Sequence, residues 1–181
     1  MKRTLTVLLF LSVCGYAQTI SVARLLHKTP AKAWASLDRA SKLLAAGATD
    51  RSAAELQRAV SLDPGFPEAH CNLGVTYMVS NRTEEAAAEF RRAIALDPGN
   101  PAYHTNLGAA LAALGRAGDG EQEARTALGL DSANAKAHFL LGLLLAARAE
   151  ARGEAGPHLA YAAQRMPEAR DALTRLQRAE P

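Results

Sequence analysis

The chain has little that would staple it, carry it across a bilayer or fill it with large rings. Of its 181 residues two are cysteine and one is tryptophan, and aromatic side chains make up 5%. Two cysteines allow one bridge at most, which excludes a disulfide-built scaffold. The apolar stretch near the start, Leu5 to Val13, is about half of the ~20 residues a membrane-spanning helix needs. Few aromatic and β-branched residues argue against a β-sandwich. Neither sign of charge dominates: 21 basic against 18 acidic side chains, for a formal charge of +3. Lys2 and Arg3 contribute two of those charges, and no basic stripe follows them, so nucleic-acid binding has no electrostatic footprint. What is present is alanine and leucine, within a hydrophobic share of 49%. Small and medium side chains of that kind suit close-packed helices.

The first seventeen residues read as a leader. Lys2 and Arg3 form a charged start, Leu5 to Val13 an apolar stretch, and Gly15-Tyr16-Ala17 a small-residue cleavage site. Cleavage after Ala17 gives a periplasmic or secreted chain beginning at Gln18, with Cys71 as its one thiol. Leu11-Ser12-Val13-Cys14 also resembles a bacterial lipobox, although Val13 fits that motif poorly. Lipidation at Cys14 is the one route by which a membrane would become a partner.

Self-comparison at a fixed offset organises the rest. At 34 residues His70 falls on His104 and His138, Asn72 on Asn106, and Leu73-Gly74 on Leu107-Gly108 and Leu141-Gly142. Ala93, Leu96, Asp97 and Asn100 fall on Ala127, Leu130, Asp131 and Asn134. One period upstream, Leu56, Ala59, Leu62, Asp63 and Pro64 match Phe90, Ala93, Leu96, Asp97 and Pro98. Within one unit Leu73, Gly74 and Tyr77 share a helix face, and Ala86, Phe90 and Ala93 form a stripe on a second helix. Asp97-Pro98-Gly99-Asn100 stops the second helix, with Gly99 expected in the left-handed conformation. Pro67 and Pro101 fit the first turn of the helices that follow. Gly115, Gly118 and Gly120 crowd the third unit, whose second helix is expected to be the loosest. Trp34 is expected to pack the N-terminal end of the stack.

This pattern resembles the tetratricopeptide repeat over about residues 33 to 166, and with the leader it resembles exported bacterial members of that family. The resemblance implies an all-α, right-handed α-solenoid of helix-turn-helix units, approximately 33–66, 67–100, 101–134 and 135–166. Residues 18–32 form a lead-in, helical or extended, and 167–181 an amphipathic capping helix with Ala172, Leu173 and Leu176 on one side. It also implies a binding scaffold for a protein or peptide, or, with Cys14 lipidated, a membrane-anchored assembly factor using the same repeats. The concave face of the first helices would hold the ligand. Carried onto this chain, that face includes Asn72, Val75, Met78, Asn106, Lys136, Phe139, Leu140 and Leu143. Asn72 and Asn106 would bond a peptide backbone. The family's carboxylate clamp is not matched, because Leu37, Ser41 and Ala102 stand where lysine, asparagine and lysine belong. The face is apolar and suits a hydrophobic segment.

Catalytic patterns are missing: there is no HExxH, GxSxG, Walker-type or strand-borne GxGxxG arrangement. An enzyme, a small-molecule substrate and a cofactor are therefore not expected. The histidine row at 70, 104 and 138 reads as packing, since helices 8–10 Å apart cannot bring it to one metal ion. Glu84, Glu85 and Glu89 read as solvated helix surface.

Overall fold

The computed structural model describes residues 28–178. The readings for residues 1–17, for most of the lead-in and for Cys14 lie outside them. Among the described residues the chain is nine α-helices with no strand: α1 Ala31–Ala45, α2 Thr49–Leu62, α3 Pro67–Val79, α4 Thr83–Leu96, α5 Pro101–Ala113, α6 Ala117–Leu130, α7 Ala135–Ala146, α8 Arg152–Ala163 and α9 Pro167–Arg178. Each helix packs on the next, and α3–α5 and α5–α7 also touch, which is the pattern of a helical repeat solenoid. No described helix is long and apolar enough to cross a membrane.

Local chemistry sets the ends of these helices. Pro67, Pro101 and Pro167 open α3, α5 and α9, where the missing N–H removes no bond. Asn100 and Asn134 cap α5 and α7, their side chains accepting from the Ala102 and Ala137 amides at 3.0 and 3.1 Å. Asn100→Ala should therefore cost about 1 kcal/mol, visible as a lowered thermal midpoint with unchanged helix content. The turn inside each of the first three pairs closes on a left-handed residue: Gly47, Asn81 and Gly115, with φ of 76°, 60° and 80°. The amides that follow reach back to Leu43, Tyr77 and Leu111 at 2.8–2.9 Å, satisfying carbonyls the helix leaves open. Gly99 is not among the left-handed residues, which corrects the expectation for the turn between pairs. There the chain is held by aspartate instead: Asp63 and Asp131 accept from the Gly65 and Ala133 amides at 3.0 and 2.9 Å.

The fourth pair departs from the period. A short 3-10 turn, Ala149–Ala151, precedes α8, and Pro157 lies inside that helix. The second helix of this pair starts at Arg152, one residue later than the 34-residue spacing from Thr83 to Ala117 would place it. The core runs unbroken along the stack, with Leu56, Phe90, Tyr103, Phe139, Leu141, Leu145 and Leu159 fully buried. At the N-terminal end Trp34 meets Phe66 edge-on, centroids 4.6 Å apart, and still exposes 44% of its surface. At the other end α9 buries Ala169 and Leu176, with Ala172 and Leu173 packed against the core.

The pairs do not all solve their close approach in one way. Gly74 gives room to Phe90, whose ring lies 2.6–3.0 Å from where a Cβ would stand. Gly142 plays the same part under Leu159, at 2.8 Å. In the third pair Ala124 replaces the aromatic, so α6 settles onto α5 and backbone meets backbone. A Cβ on Gly120 would lie 2.6 Å from the Gly108 carbonyl oxygen. Gly120 is thus a packing device in that pair, a role that its cost in helix propensity alone does not describe. In the first pair Ala40 takes the glycine's place, and buried Ser52 donates to its carbonyl at 2.9 Å.

Candidate functional site

Of the four first helices, α3, α5 and α7 have no wet stripe, whereas α1 keeps an exposed side. Every residue of α3 from Pro67 to Met78 is buried, and α5 is buried from Tyr103 to Leu111. A helix in a two-layer array needs one face for its partner and another for the adjoining pair. In α3 and α5 the remaining face is closed to water as well.

The residues the sequence pointed to lie on these three helices. Asn72, Val75, Met78, Asn106, Phe139 and Leu140 are all buried in the full-length chain, while Lys136 and Leu143 are half-buried. Val75, Met78, Phe139 and Leu140 belong to the core cluster, and Leu143 packs against it. Asn72 Nδ2 donates to the Glu68 carbonyl one turn back at 2.8 Å. Asn106 Nδ2 donates to Cys71 Sγ at 3.3 Å, tying α5 to α3. Desolvation holds the Lys136 ammonium below the usual lysine range. Cys71 is disulfide-bonded; the chain's other cysteine, Cys14, lies outside the described residues. A lone Cys71 thiol therefore describes only a chain from which Cys14 has been removed.

A second feature recurs beside this face. Residues 36, 70, 104 and 138 of the first helices each meet a polar group on the second helix of their pair. His70 Nδ1 lies 2.7 Å from Glu89 and Nε2 3.2 Å from the Pro64 carbonyl. His104 repeats this with Glu123 at 2.7 Å and Pro98 at 3.1 Å. In the first pair Ser36 accepts from Arg39, which clasps Glu55 at 3.0 and 3.1 Å. The Arg39 guanidinium holds the Glu55 carboxyl below the usual range. In the fourth pair His138 meets His158 instead, at 2.8 Å. The histidines are therefore polar ties between helices as well as packing. Glu89 corrects the surface reading: Glu84 and Glu85 are exposed, but Glu89 is buried between His70 and Arg92. The signal was available, since His70/Glu89 and His104/Glu123 repeat a separation of 19 residues. Among the described residues no group of three or more His, Cys, Asp or Glu is placed to hold a metal ion.

Comparison places this arrangement among known ones. Residues 43–114 match the family model described as tetratricopeptide repeat. A Thermobaculum terrenum O-GlcNAc transferase mutant is similar over 76% of this chain, with 30% identity and a TM-score of 0.67. The chain spans only 27% of that protein's length. YrrB, described as a TPR protein with an unusual peptide-binding site, is similar over 84% of this chain and 77% of its own, at 23% identity and a TM-score of 0.62. The first TPR of Spaghetti (RPAP3), bound to the HSP90 peptide SRMEEVD, matches 67% of this chain and 97% of its own, at 21% identity and a TM-score of 0.64. A search of curated proteins finds no match.

Proposed function

From the premise that this chain is a tetratricopeptide repeat protein, we propose that it is an exported interaction scaffold whose α3–α5–α7 face holds an extended peptide or a partner helix. The observation that carries the reading is the all-round burial of α3 and α5. A face built of Val75, Met78, Phe139 and Leu140 is made to be covered, because leaving it wet forfeits roughly 25 cal/mol for each Å² of apolar surface. Asn72 and Asn106, one repeat apart on that face, supply amides that can pair with an extended backbone. Half-buried Lys136 adds a cation at one end for an acidic side chain. Two of the similar structures are described by the peptide they bind or the site that binds it, which supports the kind of ligand. Transferase activity is not part of the proposal, since this chain aligns with about a quarter of that protein.

Export matters to the proposal. Where cleavage after Ala17 removes Cys14 before it can bridge, Cys71 stays a thiol on the binding face. The intact mass of the mature protein checks this step: a chain starting at Gln18 with one titratable thiol supports it, and a lipidated Cys14 assigns the protein to a membrane instead. Binding itself is tested by selecting peptides of about eight residues from a displayed library against the chain that starts at Gln18. Selected peptides should be extended and apolar, and Asn72→Ala with Asn106→Ala should weaken them at least ~10-fold, a loss of about 1.4 kcal/mol. Unchanged affinity in that double variant would remove the amides from the site. Asn72 makes its bond within its own helix, so its replacement should leave the fold intact. Phe139→Ala is unsuitable as a test because Phe139 is 1% exposed and belongs to the core.

A further inference from the structure

The fourth pair carries the polar tie in a form unlike the others. His138 Nδ1 and His158 Nδ1 face each other at 2.8 Å, with ring centroids 5.0 Å apart. The Tyr161 ring lies 4.2 Å from His138 and closes one side. His138 Nε2 sits 3.1 Å from the Ser132 carbonyl. A carbonyl only accepts, so His138 carries its hydrogen on Nε2 and, when neutral, offers a lone pair at Nδ1. His158 must then donate from its own Nδ1. Two neutral rings satisfy the whole chain of bonds.

Protons undo this in two steps. One added proton can be shared between the facing nitrogens after His158 moves its hydrogen to Nε2. A second proton sets two N–H donors head to head across 2.8 Å, with two positive rings in a half-buried site. In the preceding pairs the opposite group is Glu89 or Glu123, a carboxylate that accepts from a protonated ring. The residue facing the histidine therefore decides how a pair answers acid. We propose that His138 and His158 form an acid-sensitive latch, which clips α8 onto α7 when neutral and releases the C-terminal end of the array when both rings are protonated.

The surroundings favour the neutral latch. Burial, the charge of His138 and then that of Arg125 on α6 hold His158 below the usual histidine range, while Glu154 on α8 pulls the other way. Arg165 stacks over Tyr161 at 4.8 Å, adding another cation to that side. A histidine depressed in the folded state contributes stability that is present above its unfolded value, about 6.5, and is lost as pH falls through the folded value. The loss is local, because α7 and α8 touch the rest of the stack chiefly through α6 and α9. The latch does not depend on what the first-helix face binds.

Hydrogen exchange read by mass spectrometry on the full chain tests it, at pH 7.5 and 5.0 after correction for intrinsic rates. Protection in α7 and α8, taken relative to α3 and α4, should fall by ~10-fold or more between the two. His158→Glu restores the partner found in the preceding pairs and should abolish the fall. His158→Gln, neutral at both pH values, should abolish it too and serves if the glutamate variant folds poorly. A wild-type ratio that does not change with pH overturns the proposal. So does a fall of equal size in both variants.

Discussion

Phe90→Ala is expected to remove about 3–5 kcal/mol of folding stability, a large part of the ~5–15 kcal/mol that a domain of this kind possesses. Phe90 is wholly buried, and its ring occupies the hollow left by Gly74 on the facing helix. Gly74→Ala, approached from the other side, pushes a methyl to 2.6 Å from that ring and should cost about 1–3 kcal/mol by overpacking. The two changes are coupled through one space. In the Phe90→Ala background the added methyl enters a cavity, so Gly74→Ala should become neutral or gain the roughly 0.5–1 kcal/mol that alanine offers over glycine in a helix. Urea unfolding of the two single variants and the double variant reads this directly. Costs that add to within about 0.5 kcal/mol would show that ring and glycine do not share the site.

The second large effect belongs to the third pair. Gly120→Val should cost about 3 kcal/mol, at the upper end of overpacking penalties, because its Cβ meets the Gly108 carbonyl at 2.6 Å. Backbone on both sides leaves no rotamer to relieve the contact. Gly118, two residues earlier on the same helix, has open space around an added Cβ. Gly118→Ala should instead stabilise by about 0.5–1 kcal/mol. Opposite signs at two glycines on one helix distinguish a packing glycine from an idle one. Thermal midpoints that fall for both would contradict that assignment.

These two cases show what the sequence disclosed and what it could not. A period of 34 identifies equivalent positions, and from it the helix pairs, the proline starts and the glycine–aromatic partnership at Gly74 and Phe90 all follow. It does not say how far each helix sinks into its neighbours. Glu89 stood beside exposed Glu84 and Glu85 and looked alike, yet α4 is wedged between two first helices and buries more than one stripe. Gly120 looked like a weakness because propensity is a local quantity, whereas its use lies in the approach of α5. The left-handed residues at 47, 81 and 115 share no side chain, since Asn81 replaces glycine at the middle one, and so escape a search for repeated letters. The candidate face was legible as a set of positions through the family resemblance. Its degree of burial was not, because burial depends on everything that covers a helix and periodicity reports only the helix itself.

The central claim is that the first-helix face of α3, α5 and α7 binds an extended segment. It is tested most directly by following the side-chain amide and methyl resonances of the chain starting at Gln18 as a selected peptide is added. The account predicts saturable shifts at Asn72, Asn106, Val75 and Leu140, with the second-helix surfaces around Glu84 and Glu85 unmoved. Shifts confined to those outer surfaces, with the two asparagine amides silent at saturation, would contradict it.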